Sequence, residues 1–498
     1  MKKLFITFTL ALFCQSAAIP LHAQSFHTVV EFNETNGAYP YLSSLVQGID
    51  GNLYGTTSGG AGFDAVGTVF RMTPAGRITT IYKFCSETKC SDGRGPAAGL
   101  TLGINDNFYG TTQYGGIYGA GTVFEITASG KLTTLYSFCA EGGVCNDGEN
   151  PVGSLIQASN GNFYGTTTIG GKYASGTVFE ITQGGKLTTL HSFCASGEPC
   201  TDGERPNAGL VQSTDGSFYG TATFGGTEQS GTLFRITPER QFITLHTFCS
   251  LQGCADGAYP YGALVLGTDG NFYGTSQMGG LNAAGTIFQI TPSGLLTTLY
   301  DFGPCNAGCP DGAYPVAGLV QGSDGNFYGA TESGGVIQSP CGYFNVGCGV
   351  AFQITSAGQF TALHEFCPQS SCADGFLPEG GLFQATNGIF YGTTNLGGEM
   401  NGSCAGNGCG TAYGISFDMR PFVEPNPDFG KVGRVIGILG NNLKGTTSVT
   451  FNGTPAVFKV ISDTYVKVEA PTGATTGLIQ LTTSSGTLSS NIAFRVIP

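Results

Sequence analysis

The sequence predicts an all-β protein: a seven-bladed β-propeller closed by its N-terminal strand, followed by a small immunoglobulin-like β-sandwich. Three observations predict it. One tripeptide recurs seven times, as Leu53-Tyr54-Gly55, Phe108-Tyr109-Gly110, Phe163-Tyr164-Gly165, Phe218-Tyr219-Gly220, Phe272-Tyr273-Gly274, Phe327-Tyr328-Gly329 and Phe390-Tyr391-Gly392. Its tyrosines step by 55, 55, 55, 54, 55 and 63 residues, and a fixed period of this size marks stacked or radially arranged units. Each unit holds four short apolar segments, and the one missing from the last unit is present at the N-terminal end.

The unit at 150–193 shows the four segments in order. Gly153 to Gln157 is a short apolar strand, and Ser159-Asn160-Gly161 is a tight turn, since Asn-Gly favours a two-residue hairpin. Asn162 to Thr167 is the second strand, and Gly170-Gly171 opens a longer loop. Gly176 to Thr182 alternates as a third strand, Gly184-Gly185 turns the chain, and Lys186 to Phe193 is the fourth. Four antiparallel strands form one propeller blade. The fourth strand ends at Phe84, Phe138, Phe193, Phe248, Phe302 and Phe366 but has no counterpart after Phe417. His27 to Phe32 is the predicted substitute, and its addition to the last blade removes edges that would otherwise pair with other chains.

This arrangement sorts the loops onto two faces. The first-to-second and third-to-fourth turns are short and share one face; the second-to-third and inter-blade loops are longer and share the other. Sixteen of the seventeen cysteines fall on the longer loops as close pairs: Cys85/Cys90, Cys139/Cys145, Cys194/Cys200, Cys249/Cys254, Cys305/Cys309, Cys341/Cys348, Cys367/Cys372 and Cys404/Cys409. An even count in an exported chain predicts disulfides, and zinc at so many sites would be excessive. A recurrent aspartate-glycine on the same face, at Asp92, Asp147, Asp202, Asp256, Asp311 and Asp374, offers a ring of candidate ligand contacts, with a backbone turn as the plainer reading. The first inter-blade loop has Asn36-Gly37 and no cysteine, while the largest insertions are at 339–348 and 401–409. Rigid scaffolds carry function on such loops, so any binding surface is expected there, around the mouth of the central channel.

Residues 1–23 read as a secretory signal: Lys2-Lys3, an apolar run from Leu4 to Phe13, and a small residue at Ala23. Cys14 leaves with it. No later segment is apolar enough to span a membrane. A net charge of −13 argues against nucleic acid and anionic membrane surfaces. Only 11% of residues are charged and 82 are glycine, a composition that fits short strands with tight turns.

The pattern Gly-Asn-Phe-Tyr-Gly-Thr-Thr at 161–167, Gly-Gly at 170–171, Gly-Thr-Val-Phe-Glu-Ile-Thr at 176–182 and Leu-Thr-Thr-Leu at 187–190, recurring over 26–417, resembles the GloVer tandem-repeat family. The resemblance implies an exported bacterial protein of a family whose C-terminal anchors vary, and it supplies no agreed activity or catalytic residues. After 418–427, where Pro421, Pro425 and Pro427 make a stiff linker or a first edge strand, the pieces Gly440-Asn441-Asn442-Leu443, Phe451 to Ala456 and Pro471 to Gly477 resemble an IPT/TIG domain over 428–498. In exported bacterial proteins such modules serve as spacers or adhesion elements.

Nothing in the pattern marks a catalytic centre, a cofactor or a metal site. His191, His246 and His364 share one repeat position with Tyr82, Tyr136 and Tyr300, which reads as packing. Glu125 and Glu180 give way to Arg71, Arg235, Gln289 and Gln353 at their position, which reads as a solvated strand face. The repeated tyrosine reads as blade packing with its hydroxyl satisfied locally. The expected protein is an exported, non-enzymatic monomer of the bacterial surface or medium that binds extracellular polysaccharide or a surface protein through the loop face. The alternatives are a polysaccharide hydrolase or lyase, with its acids in the inserted loops of units six and seven, and a structural envelope component.

Overall fold

The computed structural model describes residues 24–60, 66–141, 144–305, 308–335, 341, 347–369, 371–398, 404 and 406–497. The signal reading at 1–23 and most of the insertions at 339–348 and 401–409 lie outside the described residues. Seven four-stranded antiparallel sheets follow one another in chain order, and a further pair of four-stranded sheets forms the C-terminal region.

The third sheet shows the common plan. Ile156–Gln157, Phe163–Thr167, Thr177–Ile181 and Leu187–Ser192 pair in sequence order, with short turns after the first and third strands and a longer loop after the second. The first strand is only two residues long, shorter than the sequence suggests. Its leading residues turn away to the neighbouring sheet: a Cβ on Gly153 would lie 2.7 Å from the Ala208 backbone. The backbone groups freed there serve the joint between sheets. Thr56, Thr166 and Thr275 donate their hydroxyls to the carbonyls of Ala98, Ala208 and Ala317, at 2.7, 2.8 and 3.1 Å.

The tyrosine of the recurring tripeptide packs each sheet on the next. Tyr54, Tyr109, Tyr164, Tyr219, Tyr273 and Tyr328 lie against Phe108, Phe163, Phe218, Phe272, Phe327 and Phe390, with ring centroids 3.9 to 4.1 Å apart. The glycine that follows has a separate task. A Cβ on Gly165 would sit 2.7 Å from the ring of Phe179, so only glycine lets the third-strand phenylalanine lie flat over the second strand. Five of the seven tyrosine hydroxyls donate to carboxylates, at the short turn in Asp50, Asp269 and Asp324 and on the third strand in Glu125 and Glu180, all at 2.9 or 3.0 Å. This corrects the reading of Glu180 as solvated. Its carboxylate is 7% exposed, accepts Tyr164 and Asn162, and pairs with Arg240 at 2.8 Å.

The seventh sheet has the order Phe383–Gln384, Phe390–Thr394, Thr411–Ser416 and Ser25–Glu31, so its outer strand comes from the N-terminal end. Phe26 stacks on His364 of the sixth sheet, and Val30 and Phe32 enter a core shared by the first and seventh sheets with Leu45, Leu53, Phe70 and Tyr391. Leu53 replaces the phenylalanine found at the other six positions and meets Tyr391. The bonds of this seam repeat those elsewhere: Thr393 donates to the Ser43 carbonyl at 3.0 Å, and Gln47 accepts the Thr386 amide at 2.9 Å.

The C-terminal region packs the sheet of Glu424–Asn426, Val435–Leu439, Tyr465–Glu469 and Phe458–Val460 against that of Thr454–Pro455, Ser448–Phe451, Ile479–Thr483 and Gly486–Ser489. Ile436, Ile438, Val449, Phe451, Val466, Ile479, Leu481 and Phe494 fill the space between them. Of the two readings of 418–427, linker or first edge strand, residues Glu424–Asn426 take the second, pairing at the sheet edge with Gly437, Ile438 and Leu439.

Phe32→Ala removes a ring that is 2% exposed at the seam between the first and seventh sheets. We expect a loss of about 3–5 kcal/mol in unfolding free energy by denaturant titration, as for other buried phenylalanines.

Candidate functional site

Eight disulfides close the long loops: Cys85–Cys90, Cys139–Cys145, Cys194–Cys200, Cys249–Cys254, Cys305–Cys309, Cys341–Cys348, Cys367–Cys372 and Cys404–Cys409. Several of these cysteines hold a left-handed backbone, with φ of 59° at Cys85 and 54° at Cys90. A residue with a Cβ is strained there, and the bridge offsets that strain by restricting the loop's alternatives.

The six recurrent aspartates are the second fastening of these loops. Asp92 accepts the Tyr82 hydroxyl at 2.8 Å and the Ser86 amide at 3.0 Å; Asp147 accepts Tyr136 at 2.8 Å and the Ala140 amide at 2.9 Å. Asp202, Asp256 and Asp374 pair with His191, His246 and His364 at 2.9, 3.1 and 2.8 Å, and Asp311 accepts Tyr300 at 2.7 Å. The shared repeat position therefore selects a ring that carries a hydrogen-bond donor, which both tyrosine and neutral or charged histidine supply. Burial alone would raise the Asp202 carboxyl, but the His191 and Ala195 bonds outweigh it and hold the group below its ordinary value. Asp92, Asp147 and Asp256 are buried, and the oxygens of all six are directed into the loop rather than across it. The signal for this clasp was a tyrosine or histidine ten or eleven residues before each aspartate.

The loop face is nevertheless rich in exposed apolar side chains. Tyr114, Ile117, Tyr118, Tyr173, Met278 and Leu281 stand on second-to-third loops, and Val144 and Leu251 on cystine loops. Ile117 and Leu281 are 73% and 80% exposed. Arg94 lies over Tyr114 and Lys172 over Tyr173, at 5.6 and 5.1 Å from the ring centres.

At the inner end of this face, two positions per unit depart from the repeat. The residue after the proline that opens each inner strand is Tyr41, Ala97, Val152, Asn207, Tyr261, Val316 or Glu379; the residue after the second strand is Ser58, Gln113, Thr168, Thr223, Gln277, Glu332 or Asn395. Five of the first set, from Val152 to Glu379, line a cavity of about 70 Å³. The Tyr41 and Tyr261 hydroxyls, from the first and fifth sheets, come within 3.5 Å of each other. Asn207 bridges Thr168 and Thr223 at 3.3 and 2.8 Å. Burial, and then the Glu332 carboxylate, push Glu379 up to about 8, while burial raises Glu332. Sequence reasoning missed these acids because it looked for what recurs; the signal was a carboxylate found in one unit alone.

The opposite, short-turn face is covered by the C-terminal sandwich. Thr464 donates to the Ile49 carbonyl at 2.7 Å, Asn441 to Thr386 at 2.7 Å, and Arg495 to the Ser213 carbonyl at 3.2 Å. Tyr465 and Lys467 both reach Asp106, at 2.6 and 3.2 Å. Asp106 stands where the other turns have glycine, as at Gly161 and Gly325, and keeps a φ of 66°. A strained non-glycine residue there is explained by its two partners in the sandwich. A cavity of about 670 Å³ remains between the two regions, and Glu424, Asp428 and Arg495 line it. Burial, and then the Asp428 carboxylate, push Glu424 up to about 7.

Repeated sheets with cystine-clasped loops define a tandem-repeat β protein, and comparison with known families assigns it. The chain belongs to the family described as the Gloeobacter/Verrucomicrobia repeat, matched at residues 18–212 and 196–405, and carries an IPT/TIG domain at 424–496. No curated protein matches it. Among solved structures, it is similar to the extracellular domain of a protein named as a hybrid two component system of Bacteroides thetaiotaomicron, at 13% identity and a TM-score of 0.48 over 93% of this chain. A second extracellular domain from that organism, named for a one component system, matches at 11% identity and a TM-score of 0.48 over 96% of the chain. The chain spans 53% and 58% of the lengths of these two structures. The periplasmic gluconolactonase of Pseudomonas aeruginosa matches at 18% identity and a TM-score of 0.43, over 65% of this chain and 84% of the other.

Two predictions follow from the covered face. Asp106→Gly relaxes the turn, by about 1 kcal/mol of backbone strain, yet frees the sandwich. Limited proteolysis should then cut near 418–423 several-fold faster, while the repeat region keeps its melting temperature. Glu424 has a folded value above its ordinary 4.5, so its contribution to stability is complete below about pH 4.5 and is lost as pH rises towards 7. Glu424→Gln should therefore melt at a higher temperature than the parent at pH 8, with the difference vanishing at pH 4.

Proposed function

We propose that the seven sheets are the blades of a closed propeller, sealed by Ser25–Glu31, and that the protein is an exported, non-enzymatic binding protein of the bacterial surface or medium. Its binding surface is the cystine-loop face, and its partner is extracellular polysaccharide or a surface protein. One observation carries the reading: exposed aromatic and aliphatic side chains are gathered on the loop face, while the opposite face is covered by the sandwich. Exposed apolar groups clustered on one rigid face suit recognition, and tyrosine rings stack on sugar faces as well as on protein side chains.

Export is supported by the basic and apolar leader pattern at 1–23 and by eight disulfides, which persist in oxidising compartments. Among the described residues no helix is long and apolar enough to cross a membrane. A hydrolase or lyase reading rests on Glu332 and Glu379, acids confined to single units. The cavity that Glu379 borders, about 70 Å³, is far below the roughly 300 Å³ at which small-molecule pockets begin. Binding is therefore the stronger reading.

The test is incubation of the secreted protein with a panel of soluble and insoluble polysaccharides. Retention on a polymer without release of reducing ends is the expected result. Tyr118→Ala and Tyr173→Ala should each weaken retention by about 1 kcal/mol, or several-fold, as for exposed aromatic contacts. Release of reducing ends would establish the enzyme reading; neither retention nor release would move the partner to a protein or to a structural envelope role.

A further inference from the structure

The channel mouth contains a set of oxygen atoms that the packing of the sheets does not account for. Glu379 is 8% exposed, and its Oε2 has no hydrogen-bond partner within the chain. Asn395, whose backbone amide shares the Leu377 carbonyl with that of Glu379, at 2.9 and 3.0 Å, has a buried Oδ1 in the same condition. Glu332, at the end of the second strand of the preceding sheet, is near enough for its carboxylate to repel that of Glu379. Its one favourable side-chain neighbour is Gln277, and no lysine, arginine or histidine acts on either acid. The buried carboxylates of Asp92 and Asp256, by contrast, meet donors on both oxygens. Unpaired anionic oxygen away from water is strongly unfavourable unless something positive joins it.

We propose that Glu332, Glu379 and Asn395 bind one hard divalent cation of the calcium class at the loop-side end of the channel. The donors are all oxygen: two carboxylates, an amide carbonyl, and the nearby phenols of Tyr41 and Tyr261. Such a set suits calcium, magnesium or manganese and not the softer metals that take imidazole or thiolate. Calcium accepts six to eight oxygens in an irregular shell, whereas magnesium demands a near-regular octahedron, which two adjacent sheets with unlike residues do not present. Size decides against an organic occupant. The cavity that Glu379 and Tyr261 line, of about 70 Å³, holds roughly two water volumes of about 30 Å³ each, enough for an ion and its remaining waters. The ion joins the sixth sheet to the seventh, the sheet completed by the N-terminal strand. This site is independent of the polymer-binding reading, since it lies within the channel and needs no exposed aromatic residue.

The rival occupant is a proton on Glu379, donated to the Asn395 carbonyl. The full-length protein, freed of metal with a chelator and desalted, distinguishes the two by calorimetric titration with calcium chloride and by thermal unfolding. We expect about one calcium per chain, with a dissociation constant in the sub-millimolar range typical of extracellular calcium modules, and a rise in melting temperature on binding. Glu379→Gln and Glu332→Gln should each weaken binding by about tenfold or more, and Asn395→Asp, which adds a charge, should tighten it. The last variant keeps the test decisive if the glutamine variants fold poorly. No binding by the parent protein up to about 5 mM calcium, above the weak end of such sites, would overturn the proposal. So would binding with an affinity that none of the three substitutions changes, or a preference for magnesium.

Discussion

Six of the seven joints between neighbouring sheets use one lock, and the rest of the molecule depends on it. A tyrosine from one second strand lies on a phenylalanine of the next sheet, and in five units its hydroxyl is held by a carboxylate at the short turn or on the third strand. Glycine beside it admits the third-strand phenylalanine, and a threonine two residues further on reaches a carbonyl of the neighbouring sheet. Each sheet thus buries its faces only against its neighbours. Such a chain needs its first and last sheets to meet, since either one left alone would expose an apolar face and an unpaired edge. The N-terminal strand answers both needs, pairing with Thr411–Ser416 and sending Val30 and Phe32 into the seam.

The two faces that result are unlike, and that difference sets the functional reading. On one, short turns end in tyrosine acceptors and carry the sandwich, fastened at Asp106, Ile49, Ser213 and Thr386. On the other, disulfides and buried aspartates make long loops rigid without consuming their outer surface. Rigid loops lose little conformational entropy when a partner docks, so the clasps suit the binding role proposed for this face.

What recurs in the chain was legible and what occurs once was not. The seven tripeptides, the spacing of glycines and the paired cysteines repeat, so the sequence shows units, strand number and loop placement. The N-terminal strand was legible by counting, because six fourth strands served seven units. The aspartates were read as turn residues or a ring of ligand contacts and not as a clasp, since each partner lies ten or eleven residues away across a hairpin. Asp106 was passed over as a variant turn residue; only the docked Tyr465 and Lys467 give it a reason. Glu332 and Glu379 are 47 residues apart in sequence and come near each other because they sit at the ends of adjacent sheets, the sixth and the seventh.

The central claim is that the N-terminal strand is an integral part of the last sheet rather than a loosely attached arm. Native-state hydrogen exchange measures this directly, because an amide protected only by a local contact exchanges by local opening, whereas one held in the closed fold exchanges with the whole. The amides of the Ser25–Glu31 strand that bond to Thr411–Ser416 should exchange with the same opening free energy as those of Phe218–Ala222 in the fourth sheet. Exchange of the N-terminal strand orders of magnitude faster, with the fourth sheet still protected, would contradict the closed arrangement.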